Sequence, residues 1–126
     1  MTEKTLDRKY QDFFRSICWE FGIFCEICGG KMEVIHHFIP KAQSKNLRYD
    51  VENFIPVCGK CHYLFHKRPS VPNGLIALKR GVEWLTRIKL KGQIHIAKTK
   101  KWLTTQEEAL NHLEKSVDNY RKLKHF

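Results

Sequence analysis

The sequence predicts an α+β fold in which two short strands and a helix are stapled by a four-cysteine zinc site and flanked by N- and C-terminal helices. Three observations predict it. Four of the five cysteines form two CxxC pairs, Cys25/Cys28 and Cys58/Cys61, with 29 residues between them. Short runs rich in β-branched and aromatic residues lie between the pairs, and helical apolar periodicity lies on either side of them. At 126 residues the chain suits one compact domain. Within a single domain, 1–126, the expected sections are an N-terminal helix (1–24), a zinc-stapled core (25–68), a basic helical extension (69–101) and a C-terminal helix (102–126).

Leu6, Tyr10, Phe13, Phe14, Ile17 and Phe21 recur at three- and four-residue spacing, as on one helix face, and Gly22 is the expected stop. Cys18 falls inside this helix beside Ile17 and is expected to be a buried small hydrophobe rather than a ligand. Cys25 to Gly30 reads as a tight turn, and Met32 to Phe38 as a strand ended by Pro40. Lys41 to Glu52 is polar and aperiodic, so a surface loop is expected, followed by a second strand from Asn53 to Val57. Cys58 to Lys67 reads as a helix whose extension is limited by Pro69 and Pro72. Leu75 to Leu90 presents one further amphipathic helix with Gly81 as its weak point, and Gln93 to Ala97 a possible short strand. Thr104 followed by Glu107 has the capping-box pattern for a final helix carrying Leu110, Leu113, Val117 and Tyr120 on one face.

Each CxxC turn can bring two thiolates onto one ion, and two such turns complete the tetrahedron that structural zinc prefers. A redox CxxC is the alternative, but that motif works singly, and here there are two. Four protein ligands leave no open position for substrate, so the zinc is expected to hold two turns together. The chemistry must lie elsewhere. His62 and His66, four apart on the expected helix, put two imidazoles on one face and can offer two nitrogens to one metal ion. His36 and His37 are neighbours on a strand and point to opposite sides, so one can face a metal while the other faces substrate.

The formal charge is +10 and the sequence pI about 9.5. Residues 1–66 hold nine Lys/Arg against eight Asp/Glu, residues 102–126 four against four, and residues 67–101 ten against one. So lopsided a segment, beside the last of these histidines, reads as a phosphate-binding surface, with Lys67, Arg68, Lys79, Arg80, Arg87, Lys89 and Lys91 its candidate contacts. A solvated helix face is the plainer alternative. No apolar run approaches the roughly 20 residues that cross a bilayer, and MTEKTLDRKY lacks the apolar stretch of a secretory signal. A cytoplasmic protein with no membrane partner is expected, as monomer or homodimer.

VIHHFIPKAQSKNLRYDVENFIPVCGKCHYLFH, between and just after the cysteine pairs, resembles the motif of the HNH, or ββα-metal, endonucleases over about Cys25 to His66, a third of the chain. The paired histidines His36 and His37, the asparagine Asn53, and His62 and His66 carry the likeness. The resemblance implies that His36, His62 and His66 bind a catalytic divalent cation, that His37 is the general base, and that Asn53 orients the loop and His37. It implies DNA, double-stranded or branched, as the partner, and a bacterial or phage-infected cell as the setting. The three-histidine set is similar to that of the colicin-type nucleases, the four cysteines to the zinc-containing branch. NLRYDVENFIPVCGKCH and GLIALKRGVEWLTRIK more loosely resemble phage recombination nucleases of the Rap/NinG kind, although His62 stands where that group has asparagine. Besides the structural Zn2+, the implied catalytic cation is Mg2+, Mn2+, Ni2+, Co2+ or Zn2+; three imidazoles favour the transition ions over magnesium, which prefers oxygen. A non-catalytic zinc module that binds nucleic acid through residues 67–101 is the reading from another class.

Overall fold

A computed structural model describes residues 2–97 and 99–124. In chain order these residues form α1 (Glu3–Glu20), β1 (Val34–His37), one 3₁₀ turn (Val51–Asn53), β2 (Phe54–Val57), α2 (Gly59–Lys67), α3 (Ser70–Arg80), α4 (Val82–Gly92) and α5 (Lys100–Lys124). The fold class is α+β, as expected.

The Thr2 hydroxyl caps α1 by accepting from Thr5 N at 3.2 Å. At the far end Gly22 takes φ 67°, and the Ile23 N–H reaches back to the Cys18 carbonyl at 2.8 Å, closing the helix as a Schellman motif. Cys18 is buried in the core, in line with its reading as a small hydrophobe.

β1 and β2 pair antiparallel, with Val34 opposite Val57, Ile35 opposite Pro56, His36 opposite Ile55 and His37 opposite Phe54. Bonds from Glu33 N to Val57 O and from Phe38 N to Asn53 O, both 2.9 Å, continue the ladder past either end. The strands are shorter than Met32–Phe38 and Asn53–Val57, and Asn53 closes a turn instead of opening a strand. Alternation gives the ribbon two working faces. Ile35 and Phe54 pack into a core with Leu6, Tyr10, Met32 and Trp102 from the α1 and α5 side. Ile55 and Val57 pack into a second core with Phe65, Ile76, Trp84 and Ile88 from α2 to α4. α1 is fastened to the ribbon by Gln11, whose carboxamide accepts from Ile35 N at 3.0 Å and donates to Ile35 O at 2.8 Å.

Four further expectations are corrected. The helix expected over Leu75–Leu90 is two helices, because Gly81 at φ 93° takes a backbone conformation that side-chain-bearing residues rarely adopt. Pro69 and Pro72 do not merely limit α2; they open α3, where helix N–H groups lack internal acceptors and proline costs nothing. Gln93–Ala97 forms no strand. α5 begins at Lys100, capped by Thr99, whose hydroxyl accepts from Trp102 N at 3.1 Å, so Thr104 and Glu107 lie inside it.

Candidate metal centres and active site

Cys25 and Cys28 sit on the turn after α1, tightened by bonds from Cys25 N to Gly30 O at 2.7 Å and from Gly29 N to Cys25 O at 2.9 Å, with Gly29 at φ 78°. Cys58 is the N-cap of α2, and Cys61 follows one turn in. All four Sγ atoms lie within 4.8 Å of one another, and Cys28 Sγ is 3.6 Å from Cys58 Sγ. That separation excludes a disulfide and fits tetrahedral zinc, whose sulfur ligands at about 2.3 Å stand about 3.8 Å apart. Gly30 N and Cys61 N donate to Cys28 Sγ and Cys58 Sγ, each at 3.4 Å, as suits thiolates. Burial raises the Cys25 thiol, but the backbone N–H groups of Cys28, Cys58 and Ile27 outweigh it and hold Cys25 below the usual thiol range. Burial and the surrounding thiols push Cys61 upward. Four sulfurs this close cannot all ionise without a cation among them, and a zinc ion held by the four would supply that charge.

His36 lies on the α2 side of the ribbon. Its ring stacks on Phe65 at 4.0 Å and meets those of His62 and His66 at 5.4 and 5.7 Å between centroids. The three residues offer ring nitrogens that lie within 4.8 Å of one another, with His62 Nε2 3.1 Å from His66 Nε2. Metal-bound imidazole nitrogens at about 2.1 Å stand roughly 3.4 Å apart in a tetrahedron, so the set fits one ion. Burial, with the rings of His62, His66 and His37, pushes His36 down to about 3, and His62 is lowered by burial and by His66. Both are neutral near pH 7 and present lone pairs.

His37 faces the other way, edge-on to Phe54 at 5.1 Å. Its Nε2 lies 2.7 Å from the Arg48 carbonyl. A carbonyl can only accept, so the proton sits on Nε2 and the Nδ1 lone pair is free. Burial holds His37 down to about 4 although the Arg48 carbonyl acts to raise it. Asn53 is fully buried: its Oδ1 accepts from Ile39 N at 2.8 Å, and its Nδ2 donates to Ile39 O at 3.0 Å and Leu47 O at 3.2 Å. It thereby ties both ends of the loop between the strands.

His36, His37, His62 and His66 share the lining of one cleft of about 880 Å³. Its rim includes Gln11 and Arg15 from α1, Lys41 and Gln43 from the loop, and Asn73 from α3. Sequence reasoning named none of these: Gln11, Arg15 and Asn73 are remote in sequence from the histidines, and Lys41 and Gln43, though close to His37, lie in an aperiodic loop whose course the sequence does not report.

The seven candidate phosphate contacts divide. Arg80 donates to both Glu26 oxygens at 2.7 Å and to the carbonyls of Glu52 and Phe54, and it stacks on Trp84 at 4.8 Å. Arg87 pairs with Glu52 at 2.6 Å, and Lys91 with Asp50 at 2.9 Å and Glu52 at 3.4 Å. Lys79 donates to the Glu26 carbonyl at 3.1 Å. Lys67, Arg68 and Lys89 are exposed and have no acidic partner among the described residues.

A two-stranded ribbon and a helix, with four cysteines and three histidines gathered about them, have the arrangement that the ββα-metal resemblance implies. The comparisons agree: the HNH endonuclease family matches residues 25–68. The chain is also 38% identical over 47 residues to a mitochondrial DNA mismatch repair protein mutS homolog of Sarcophyton glaucum, a match covering 34% of this chain and 5% of that protein. No solved structure matches. The four-cysteine cluster lies within the matched residues and suits zinc. The looser likeness to phage recombination nucleases gains nothing from these matches. Among the described residues no helix is long and apolar enough to cross a membrane.

Proposed function

We propose that this protein is a metal-dependent endonuclease that hydrolyses DNA phosphodiester bonds, with His37 as general base and the catalytic divalent cation on His36, His62 and His66. The observation that carries the reading is the arrangement about β1: three imidazole nitrogens gathered on one side, and on the other a histidine whose Nε2 is tied to a carbonyl and whose Nδ1 is free. Nδ1 of His37 takes one proton of the attacking water, whose oxygen adds to phosphorus as the bond to the 3′-oxygen breaks; the departing oxygen takes a proton from solvent water, leaving 5′-phosphate and 3′-hydroxyl ends. Because His37 is neutral near pH 7, it is ready to accept that proton without first losing one. When bound, the cation supplies positive charge against the developing charge on the phosphate and the leaving oxygen. Asn53 acts on His37 indirectly, by holding the loop that presents the Arg48 carbonyl. Arg15 and Lys41 on the rim of the cleft, and the exposed Lys67, Arg68 and Lys89, are the candidate contacts to the phosphates of the strand.

The test is incubation with supercoiled plasmid and Mn2+, Mg2+, Ni2+, Co2+ or Zn2+, with and without chelator. Metal-dependent nicking that His37→Ala abolishes is expected. DNA binding without cleavage under every metal overturns the reading in favour of a non-catalytic zinc module.

A further inference from the structure

The His37 ring is aimed by a carbonyl in an irregular loop, so its aim is only as good as whatever fastens that loop. Asn53 fastens one side, through Leu47 O. The other side is fastened from α1. Asp7 accepts from Arg48 Nε at 3.1 Å and from Arg48 Nη2 at 2.7 Å, and its Oδ1 also accepts from the Tyr49 hydroxyl at 2.6 Å. Arg48 and Tyr49 are 9% and 8% exposed, so the guanidinium needs a countercharge where it lies. Asp7 meets it through two oxygens; Glu3 adds a second, single contact at 3.1 Å. Asp7, Tyr49 and His37 also line one small cavity of about 20 Å³.

We propose that Asp7 is a positioning residue for His37: by clamping the Arg48 and Tyr49 side chains it holds the Arg48 carbonyl that fixes the tautomer and direction of the catalytic imidazole. The proposal rests on the nuclease reading above and makes α1 part of the catalytic apparatus, although that helix lies outside the residues matched by the HNH family. In Asp7→Asn one anionic oxygen becomes an amide nitrogen and the charge is lost. At most part of the three-bond clamp survives, and Glu3 is left as the carboxylate paired with Arg48 among the described residues.

The test pairs steady-state plasmid cleavage with ¹⁵N NMR of the His37 ring in the full chain with its zinc. Asp7→Asn is expected to lower kcat by about tenfold with KM little changed, as a misaimed base would. The ring signals should move from the Nε2–H form toward a mixture of tautomers. Asp7→Glu, which restores the charge, should recover most of both. Wild-type kcat and wild-type ring signals in Asp7→Asn overturn the proposal. If that variant loses its cooperative melting transition, Tyr49→Phe carries the test by removing one bond of the clamp. It should shift the ring signals in the same direction, and unshifted signals overturn the proposal equally. The NMR arm needs no DNA, so a wild-type protein that cuts nothing sinks the nuclease reading while the Asp7 clamp is still judged on the ring.

Discussion

His36 and His37 are consecutive residues of one strand, and both are largely withdrawn from water, yet their surroundings assign them different capacities. His36 meets other nitrogens: its ring lies against Phe65 with His62 and His66 around it. His37 meets a single carbonyl, which occupies one ring nitrogen and leaves the other free. Burial lowers both, His36 to about 3 and His37 to about 4, so proton affinity does not separate them. Strand alternation does, by giving one ring to α2 and the other to the side of α1. A ring among nitrogens can share a cation, and a ring held at one nitrogen can take a proton at the other.

The most direct way to break this comparison is to remove each ring in turn. His37→Ala is expected to depress cleavage by on the order of 10²–10⁴-fold while catalytic-metal affinity, measured by calorimetry, stays near wild type. His36→Ala should instead weaken metal affinity by at least the tenfold that loss of even an outer partner produces. If His37→Ala loses the ion as thoroughly as His36→Ala, the two roles are exchanged.

This part of the site was legible because it is local. CxxC and HxxxH spacings need only a turn and a helix to bring their atoms together, and neighbours on a strand must diverge. What was not legible depends on distant chain. Nothing around Asp7 announces that it meets Arg48, 41 residues on, and nothing around Glu52 announces that it takes Arg87 and Lys91. The single helix expected over Leu75–Leu90 failed at one residue, because an apolar period does not report the φ of Gly81.

A second prediction concerns the scaffold under both histidines. Asn53→Ala removes the three hydrogen bonds of a fully buried side chain and leaves the Ile39 N–H and carbonyl without that partner, while the Leu47 carbonyl keeps only its 3.4 Å bond from Asp50 N. The expected cost is about 2–3 kcal/mol in denaturant unfolding, because unsatisfied buried groups cost more than the bonds return. His37 should suffer with it, since the Leu47–Arg48 backbone loses its tie to Asn53. A variant that melts and cuts like wild type would remove Asn53 from the account.

The zinc site offers a third. About one zinc per chain is expected in metal analysis, and chelation or Cys58→Ala should abolish cooperative unfolding of the core, because the ion is what allows four close thiolates to coexist. Protein that keeps its fold without metal contradicts the staple.

Acid should test the α1 clamp. Burial acts to raise Asp7, but the bonds from Arg48 and Tyr49 and the Arg48 charge outweigh it and hold the carboxyl below its ordinary 3.8. A folded value below the unfolded one means a stabilising contribution that is complete above about pH 4 and is lost as pH falls through the folded value. Asp7→Asn should therefore flatten the acid limb of the stability profile; an unaltered limb would show that the pair carries no such linkage.

The smallest expected effect separates two groups of basic residues that look alike in sequence. Lys67, Arg68 and Lys89 are exposed and free of acidic partners among the described residues, whereas Arg80, Arg87 and Lys91 are held by Glu26, Glu52 and Asp50. Both triple substitutions to Gln remove the same charge, so a purely long-range attraction to DNA would fall equally. Contact with phosphates predicts otherwise. A freed lysine or arginine can displace a counterion at each phosphate it reaches, so losing Lys67, Arg68 and Lys89 should reduce the slope of log affinity against log salt by up to about 2.7. Losing Arg80, Arg87 and Lys91 should change that slope by less, and should lower the melting temperature instead, because Glu26 is left with neither its guanidinium nor easy access to water. Equal slopes with equal melting temperatures would mean that the ion pairs open on DNA, and that the whole face from α3 to α4 meets the phosphates.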